Sequence, residues 1–85
     1  THQDVQSLQV TSANNENYQL ATTKKMPEPC EIDDHELHIN EHICFVLGKE
    51  FEKLENKDEV KQIMLDHIKK HKEMLKQQEN DEKEV

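Results

Sequence analysis

Residues 34–42 read Asp34-His35-Glu36-Leu37-His38-Ile39-Asn40-Glu41-His42 and place three histidines close together in a chain that has 6. A shorter stretch at residues 66–71 reads Asp66-His67-Ile68-Lys69-Lys70-His71. Both stretches contain the pattern His-Ile-x-x-His, and two histidines four residues apart lie on the same face of an α-helix. The pattern therefore predicts two amphipathic helices whose histidine faces point at each other.

The first predicted helix begins at Asp33 or Asp34 and ends near Leu54 or Glu55. Asp33 is suited to cap the free N–H groups, and Glu36 follows three residues later, as in a capping box. One face of this helix carries the histidines, with His35, His38, Ile39, His42 and Val46. The opposite face is also apolar and consists of Leu37, Cys44, Leu47, Phe51 and Leu54. We expect the second helix on the histidine face, and the N-terminal segment or another subunit on the other face.

A short turn at residues 56–59 separates the two predicted helices. Asn56 is the expected N-cap, and Glu59 occupies the third position of a second capping box. Because the loop is short, the second helix is expected to run antiparallel to the first, over about residues 57–78. Its apolar stripe consists of Val60, Ile63, Met64, Ile68, Met74 and Leu75, with His67 and His71 in the middle. Residues 79–85 are charged and have nothing to bury, so we expect a disordered tail.

Residues 1–32 form an N-terminal segment and a proline linker. The sparse apolar residues of the first part fit a β-hairpin around Asn14-Asn15 or a thin helical stripe, and the pattern slightly favours the helix. Pro27 and Pro29 remove backbone donors and mark the linker. The predicted fold class is all-α: an antiparallel two-helix hairpin at residues 33–78, preceded by a weakly helical or partly disordered segment.

The composition limits the functions open to this chain. With 85 residues, 32% hydrophobic content and no tryptophan, it forms one small domain with little core. Partner subunits, a metal or the rest of a larger protein are expected to add stability, and a start at Thr1 suggests a fragment. The net charge of -8 opposes direct nucleic-acid binding. Without an eighteen-residue apolar run or a signal peptide, we expect a soluble intracellular protein that does not cross a membrane. Cys30 and Cys44 are expected to be reduced and packed.

Counting residues away from the turn brings three pairs to the same level: His42 with His71, Val46 with His67, and His38 with Leu75. Four imidazoles can then converge between the helices, because helix axes 8 to 10 Å apart leave room for such side chains. Zinc binds imidazole nitrogen and prefers four ligands in structural sites. The candidate metal ligands are His38, His42, His67 and His71. Glu41 or Asp66 would accept hydrogen bonds from the outer ring N–H groups.

Two other interpretations of the histidines remain open. They are core residues that each bond through one nitrogen to a neighbour or water, or they are pH-responsive groups that repel one another when protonated near pH 5 to 6. His35 is expected to be solvated. Cys44 points away from the histidine face and one glycine does not make a phosphate-binding loop, so no enzyme activity and no small-molecule substrate are expected. The expected cofactor is none or Zn.

Four parts of the sequence carry a family resemblance. They are Ala13-x-x-Glu16-Asn17-x-x-Leu20, the Pro27/Pro29 linker, Asp33-Asp34-His35-x-x-His38-Ile39-x-x-His42, and His67-Ile68-x-x-His71-x-x-x-Leu75. Together they cover residues 13 to about 76 and resemble the C-terminal region of some tailed-bacteriophage portal proteins. The chain departs from that pattern at Thr22-Thr23, where a glycine would usually follow the first segment.

This resemblance implies a structural and assembly role in the virion. The chain would be a helical appendage of the ring at the DNA packaging vertex, a homo-oligomer or a partner of other phage head proteins. It would be located in the virion, and in the host cytoplasm during assembly. The alternative function is a zinc-binding helical hairpin that acts as a sensor or regulator. A third alternative is an adaptor that binds a partner helix through the Leu37–Cys44–Phe51 face.

Overall fold

A computed structural model describes residues 4–83, with side chains described for residues 4–80, and within that range the chain is all-α. Its helices are α1 (Val5–Thr23), α2 (His35–Leu47), the short α3 (Lys49–Glu52) and α4 (Lys57–Lys83). α2 packs against both α1 and α4, whereas α1 and α4 touch at few points. The predicted all-α class is confirmed. The two-helix description is incomplete, because a third long helix belongs to the same bundle.

α1 is a polar helix with well-defined ends. The carboxylate of Asp4 accepts a hydrogen bond from the backbone N–H of Ser7 at 2.7 Å, which caps the first turn. At the other end Lys24 adopts the left-handed conformation and its N–H donates to the carbonyl of Leu20 at 2.9 Å. The helical alternative for this segment is therefore confirmed, and the β-hairpin alternative is wrong. Nothing is described for residues 1–3, which form the start of the predicted N-terminal segment.

α2 begins at His35, one residue later than it would begin if Asp33 were the N-cap. Asp34 is the N-cap, and its carboxylate accepts from the N–H of Leu37 at 3.1 Å. The carboxylate of Asp33 instead accepts from the N–H of Cys30 at 2.9 Å, which closes the end of the proline linker. Asp33 therefore stabilises a turn rather than the helix, and its second oxygen is available to the histidines.

The prediction of one continuous helix to Leu54 is wrong, because α2 ends at Leu47. Gly48 has an extended backbone conformation, and the chain restarts as α3. Glycine disfavours helical structure by about 1 kcal/mol relative to alanine, so the helix is interrupted at the residue where leaving the helical conformation costs least. The break redirects Phe51 into the core, where its ring packs edge-on against Phe45 at 5.6 Å between centroids.

Because of this break, the predicted second apolar face of α2 does not form one continuous surface. Phe51 is buried, but Cys44 is exposed and Leu47 is 79% exposed. Cys30 is exposed as well, so the expectation that both cysteines are packed is wrong. α1 packs instead on the histidine side of α2, where it brings Glu16 and Asn17 against the rings. The expectation that the N-terminal segment covers the Leu37–Cys44–Phe51 face is therefore wrong.

α4 starts directly after Asn56, whose carbonyl accepts the N–H of Val60 at 3.0 Å. It runs to Lys83, past the predicted end near Gln78, so the predicted disordered tail is helical over residues 79–83. Residues 84–85 lie outside the described residues. α2 and α4 run antiparallel, since His42 faces His67 whereas His35 faces His71. None of the described helices is long and apolar enough to cross a bilayer.

The apolar core is small, and along α2 and α4 its members alternate with the buried histidines. Its buried members are Leu20, Ile39, Phe51, Val60, Met64 and Ile68. Beyond this cluster, the space between α1, α2 and α4 is filled by imidazole rings rather than by aliphatic side chains. The chain therefore joins its three long helices through a polar centre.

Candidate metal centre

Five of the histidines are buried in one cluster between α1, α2 and α4. They are His35, His38, His42, His67 and His71, and none is more than 3% exposed. The structure thus brings together all four histidines that the sequence predicted as ligands. It adds His35, whose predicted solvation is wrong: His35 Nδ1 lies 2.7 Å from His71 Nδ1, so α4 covers the first turn of α2.

The rings are in direct contact with one another. Ring centroids are 4.6 Å apart for His67 and His71, 4.9 Å for His42 and His67, and 5.1 Å for His38 and His71. His42 and His71 were predicted to lie at the same level of the two helices, and their ring centroids are 5.7 Å apart. His42 also faces His67, at the level where Val46 was expected. The rings therefore form one cluster rather than two separate pairs.

Glu16 of α1 supplies the carboxylate of the cluster. Its Oε1 atom lies 3.1 Å from His42 Nε2, 3.2 Å from His38 Nδ1 and 3.4 Å from His67 Nε2. The side chain of Glu16 is only 12% exposed. Three ring nitrogens on one carboxylate oxygen exceed the two lone pairs that this oxygen offers. This crowding is what a site for a cation would show.

The sequence did not assign Glu16 to the site. Its nearest signal was the Glu16-Asn17 pair within the portal resemblance. The carboxylates expected instead lie elsewhere: Asp66 Oδ1 accepts from Gln62 Nε2 at 3.5 Å, and Glu41 lines a surface groove. A residue on a third helix was not predictable from the spacing within α2 and α4.

Four donor atoms form a compact set from Glu16, His42, His67 and His71, all within 4.8 Å of one another. A tetrahedral zinc ion with bonds of 2.0 to 2.1 Å separates its ligand atoms by about 3.3 to 3.4 Å. The His67 Nε2 and His71 Nε2 atoms are 3.0 Å apart. The distances from Glu16 Oε1 to His42 and His67 given above bracket the same value. Three of the six donor–donor distances in the set are therefore close to those around a tetrahedral ion, and none exceeds 4.8 Å.

Outer partners hold two of these rings in the orientation that a metal requires. His42 Nδ1 lies 2.7 Å from Asn17 Oδ1, so Nδ1–H donates to Asn17 and the Nε2 lone pair points toward the centre. His71 Nδ1 faces His35 Nδ1 at 2.7 Å, which leaves His71 Nε2 on the side of His67. The Nε2 atom of His35 is the only buried side-chain nitrogen or oxygen atom of residues 4–80 that lacks a hydrogen-bond partner.

His38 belongs to a second, overlapping group with Asp33 and His71. Its Nε2 atom lies 3.8 Å from Asp33 Oδ1 and 2.9 Å from Gln9 Oε1. Gln9 Oε1 also accepts from the N–H of Asp34 at 3.0 Å. Gln9 thereby ties α1 to the start of α2 and orients the His38 ring. His38 is thus a neighbour of the compact four-atom set rather than a member of it.

Burial controls the protonation of the cluster. Desolvation lowers the pKa of His71 to about 3, and the positive charges of neighbouring histidines act in the same direction. Desolvation also lowers the pKa of His42 and that of His35. For Glu16, burial opposes ionisation, but the close ring nitrogens of His42 and His67 outweigh it and hold its pKa well below the usual range. At neutral pH these groups are therefore neutral imidazoles and an ionised carboxylate, the forms that bind metals.

No family model, no curated protein and no solved structure matches this chain. The chain is defined by its fold and its site: a small helical bundle with a buried cluster of five histidines and a glutamate.

Proposed function

We propose that this chain is a metal-binding structural module in which one zinc ion joins the three long helices. The observation that carries the proposal is the convergence of one donor atom each from Glu16, His42, His67 and His71, all within 4.8 Å of one another. Imidazole and carboxylate donors suit zinc, and four protein ligands complete its usual coordination in structural sites.

The burial of the set favours a structural role over catalysis. The three histidine ligands are at most 3% exposed, so no substrate reaches the metal without an opening of the bundle. A catalytic zinc keeps an open position for water or substrate. We therefore propose a non-enzymatic role for the metal.

A bound metal would strengthen the contact between α1 and the rest of the bundle. α1 buries only Ala13, Asn17 and Leu20, so few apolar contacts hold it to α2. Glu16 and Asn17 connect it to the histidine cluster, and a bound ion would add a strong link at that point. A ligand present at about 100 times its dissociation constant stabilises the folded state by about 2.7 kcal/mol. For a domain of this size, that shift corresponds to a rise of roughly 10 to 20 °C in the melting temperature.

The test is metal analysis combined with thermal melting. Cys30 and Cys44 are both exposed, so each is replaced by serine throughout to exclude adventitious thiolate binding. We expect one equivalent of zinc per chain and a lower melting temperature after treatment with a chelator. Absence of bound zinc after reconstitution, with an unchanged melt, contradicts the proposal.

A matched pair of variants tests the ligand set. Glu16→Gln keeps the size of the side chain but removes its charge, and it should weaken zinc binding at least tenfold. Glu31→Gln makes the same charge change at an exposed residue and should leave zinc binding unaltered. If Glu16→Gln binds zinc as tightly as the parent chain, Glu16 is not a ligand and the proposed centre is wrong.

As a second function we propose a structural and assembly module in the C-terminal region of a phage portal protein. The observation in its favour is that the residues carrying the resemblance line the cluster: Glu16, Asp33, His35, His38, His42, His67 and His71. On this proposal the helical bundle is a virion component at the DNA packaging vertex, and it meets other copies or other head proteins. It would be found in the virion, and in the host cytoplasm during assembly.

The coding sequence on both sides of this segment tests the portal proposal. We expect a longer reading frame whose product forms ring-shaped particles under negative-stain electron microscopy. A reading frame limited to this bundle, or a longer product without rings, contradicts it. Neither result affects the zinc proposal, which metal analysis tests separately.

A further inference from the structure

An acidic groove runs along α1 and α2 on the side away from α4. Its larger part has a volume of about 580 Å³ and is lined by Tyr18, Cys44, Phe45, Glu41 and Glu50, among others. A second depression of about 330 Å³ continues it and is lined by Asp34, Glu36 and Glu41. No lysine and no residue of α4 lines either depression. The groove therefore offers apolar surface between carboxylates.

A basic stripe occupies the outer face of α4. Steps of three and four residues place Leu65 on one face with four lysines, namely Lys61, Lys69, Lys72 and Lys76. Leu65 is 45% exposed. Four other lysines form ion pairs: Lys24, Lys53, Lys57 and Lys70. The four lysines of the stripe form none with any described residue. In a chain of net charge -8, these four lysines place positive charge without ion pairs along one face of α4, next to Asp58 and Glu79 at its two ends.

The groove and the stripe match each other in charge. From Lys61 to Lys76 the stripe extends about 22 Å, at 1.5 Å per helical residue. Along α2 the groove extends about 14 Å from Glu36 to Phe45 on the same basis, and Glu50 lies beyond the helix break, on α3. Both surfaces have an apolar middle, formed by Leu65 on the stripe and by Phe45 with Tyr18 in the groove. The two surfaces belong to different sides of the bundle and do not meet within one chain.

We propose that the stripe on α4 of one copy docks in the acidic groove of a second copy. Each copy then presents one free groove and one free stripe, because the contact joins two different surfaces. Such a head-to-tail contact continues from copy to copy and produces a closed ring or an open chain, not a simple dimer. The contact uses no residue of the four-atom metal set.

Cross-linking between defined cysteines tests the contact and its geometry. Cys44 already lies in the groove, and Leu65→Cys places a second thiol on the stripe, with Cys30→Ser removing the remaining thiol. With a short bismaleimide we expect a ladder of dimers, trimers and larger species. Cys30→Ser alone and Cys30→Ser with Asn15→Cys, an exposed site on α1, should remain largely monomeric. Efficient cross-linking of Cys30→Ser alone to a dimer contradicts the proposal, because it shows a groove-to-groove contact.

Charge reversal tests the electrostatic match. Glu41→Lys and Lys69→Glu should each raise the dissociation constant for self-association by about fivefold or more, measured by sedimentation at low salt. The double variant should recover much of the association, since it restores opposite charges across the contact. The control pair Lys25→Glu and Glu31→Lys lies outside both surfaces and should change little.

A chain that stays monomeric at all concentrations in low salt overturns the proposal, as does equal weakening by the control pair. The zinc content of every variant is measured in parallel. A variant that keeps its zinc but loses self-association supports the proposed contact.

Discussion

Lowering the pH from 7 to 5 should destabilise this protein strongly. The buried histidines determine the sign of this change in the free energy of unfolding. Burial lowers the pKa of His71 to about 3, whereas an exposed histidine of the unfolded chain titrates near 6.5. Between these values the unfolded state binds more protons than the folded state, so stability falls as the pH falls. The stability is fully present above about pH 6.5 and is lost progressively below it.

The loss of folding free energy that His71 alone causes follows from its pKa values in the folded and unfolded states. At pH 5 the unfolded state gains about 2 kcal/mol from proton uptake that the folded state lacks. His42 and His35 have lowered pKa values and act in the same direction. The stabilisation from Glu16 is fully present above about pH 4.5 and is lost only below it, because its pKa is lowered in the folded state. The window from pH 7 to 5 therefore isolates the histidines.

The assay is urea unfolding at pH 7, 6 and 5, with zinc and with a chelator. We expect the free energy of unfolding to fall by at least about 2 kcal/mol in the chelated protein. A larger fall is expected with zinc, because protons and metal compete for the same nitrogens. NMR titration of the ring protons provides the independent readout. A His71 ring that titrates near pH 6.5, or an equal free energy at pH 7 and pH 5, would refute the reasoning.

Three substitutions test other parts of the structure. Asn17→Ala leaves the buried Nδ1–H of His42 without its acceptor, so it should cost about 1 to 3 kcal/mol in urea unfolding and weaken zinc binding by roughly 10- to 100-fold in a competition titration. Leu20→Ala empties a fully buried position between α1 and the core and should cost about 2 to 5 kcal/mol by the same unfolding assay. Asp34→Ala removes the acceptor for the Leu37 N–H at the start of α2, and it should lower the free energy of unfolding by about 1 kcal/mol without changing the zinc stoichiometry.

Four histidines of the cluster could be predicted from the sequence because of their spacing. His38 with His42, and His67 with His71, repeat at four residues, and that spacing places each pair on one helix face whatever the rest of the chain does. The turn near Asn56 then brings α2 and α4 side by side. These local features predicted which four histidines would meet.

The remaining members of the cluster depend on contacts that no local pattern records. Glu16 and Asn17 lie on a helix with almost no amphipathic pattern, so nothing along α1 indicates which face docks. His35 is exposed by its position in the first turn of a lone helix, and only the approach of His71 buries it. The break at Gly48 likewise depended on whether packing would overcome the poor helical propensity of glycine.

The sequence by itself determined where α2 and α4 begin, the turn before α4, and the histidine faces, because capping, propensity and a four-residue period act within a few positions of the chain. Only the tertiary structure decided that α1 lies on the histidine side and that Glu16 completes the cluster. The physical reason is that a carboxylate and imidazoles more than twenty residues apart are brought within hydrogen-bond distance by the packing of three helices. That packing depends on which surfaces are buried together.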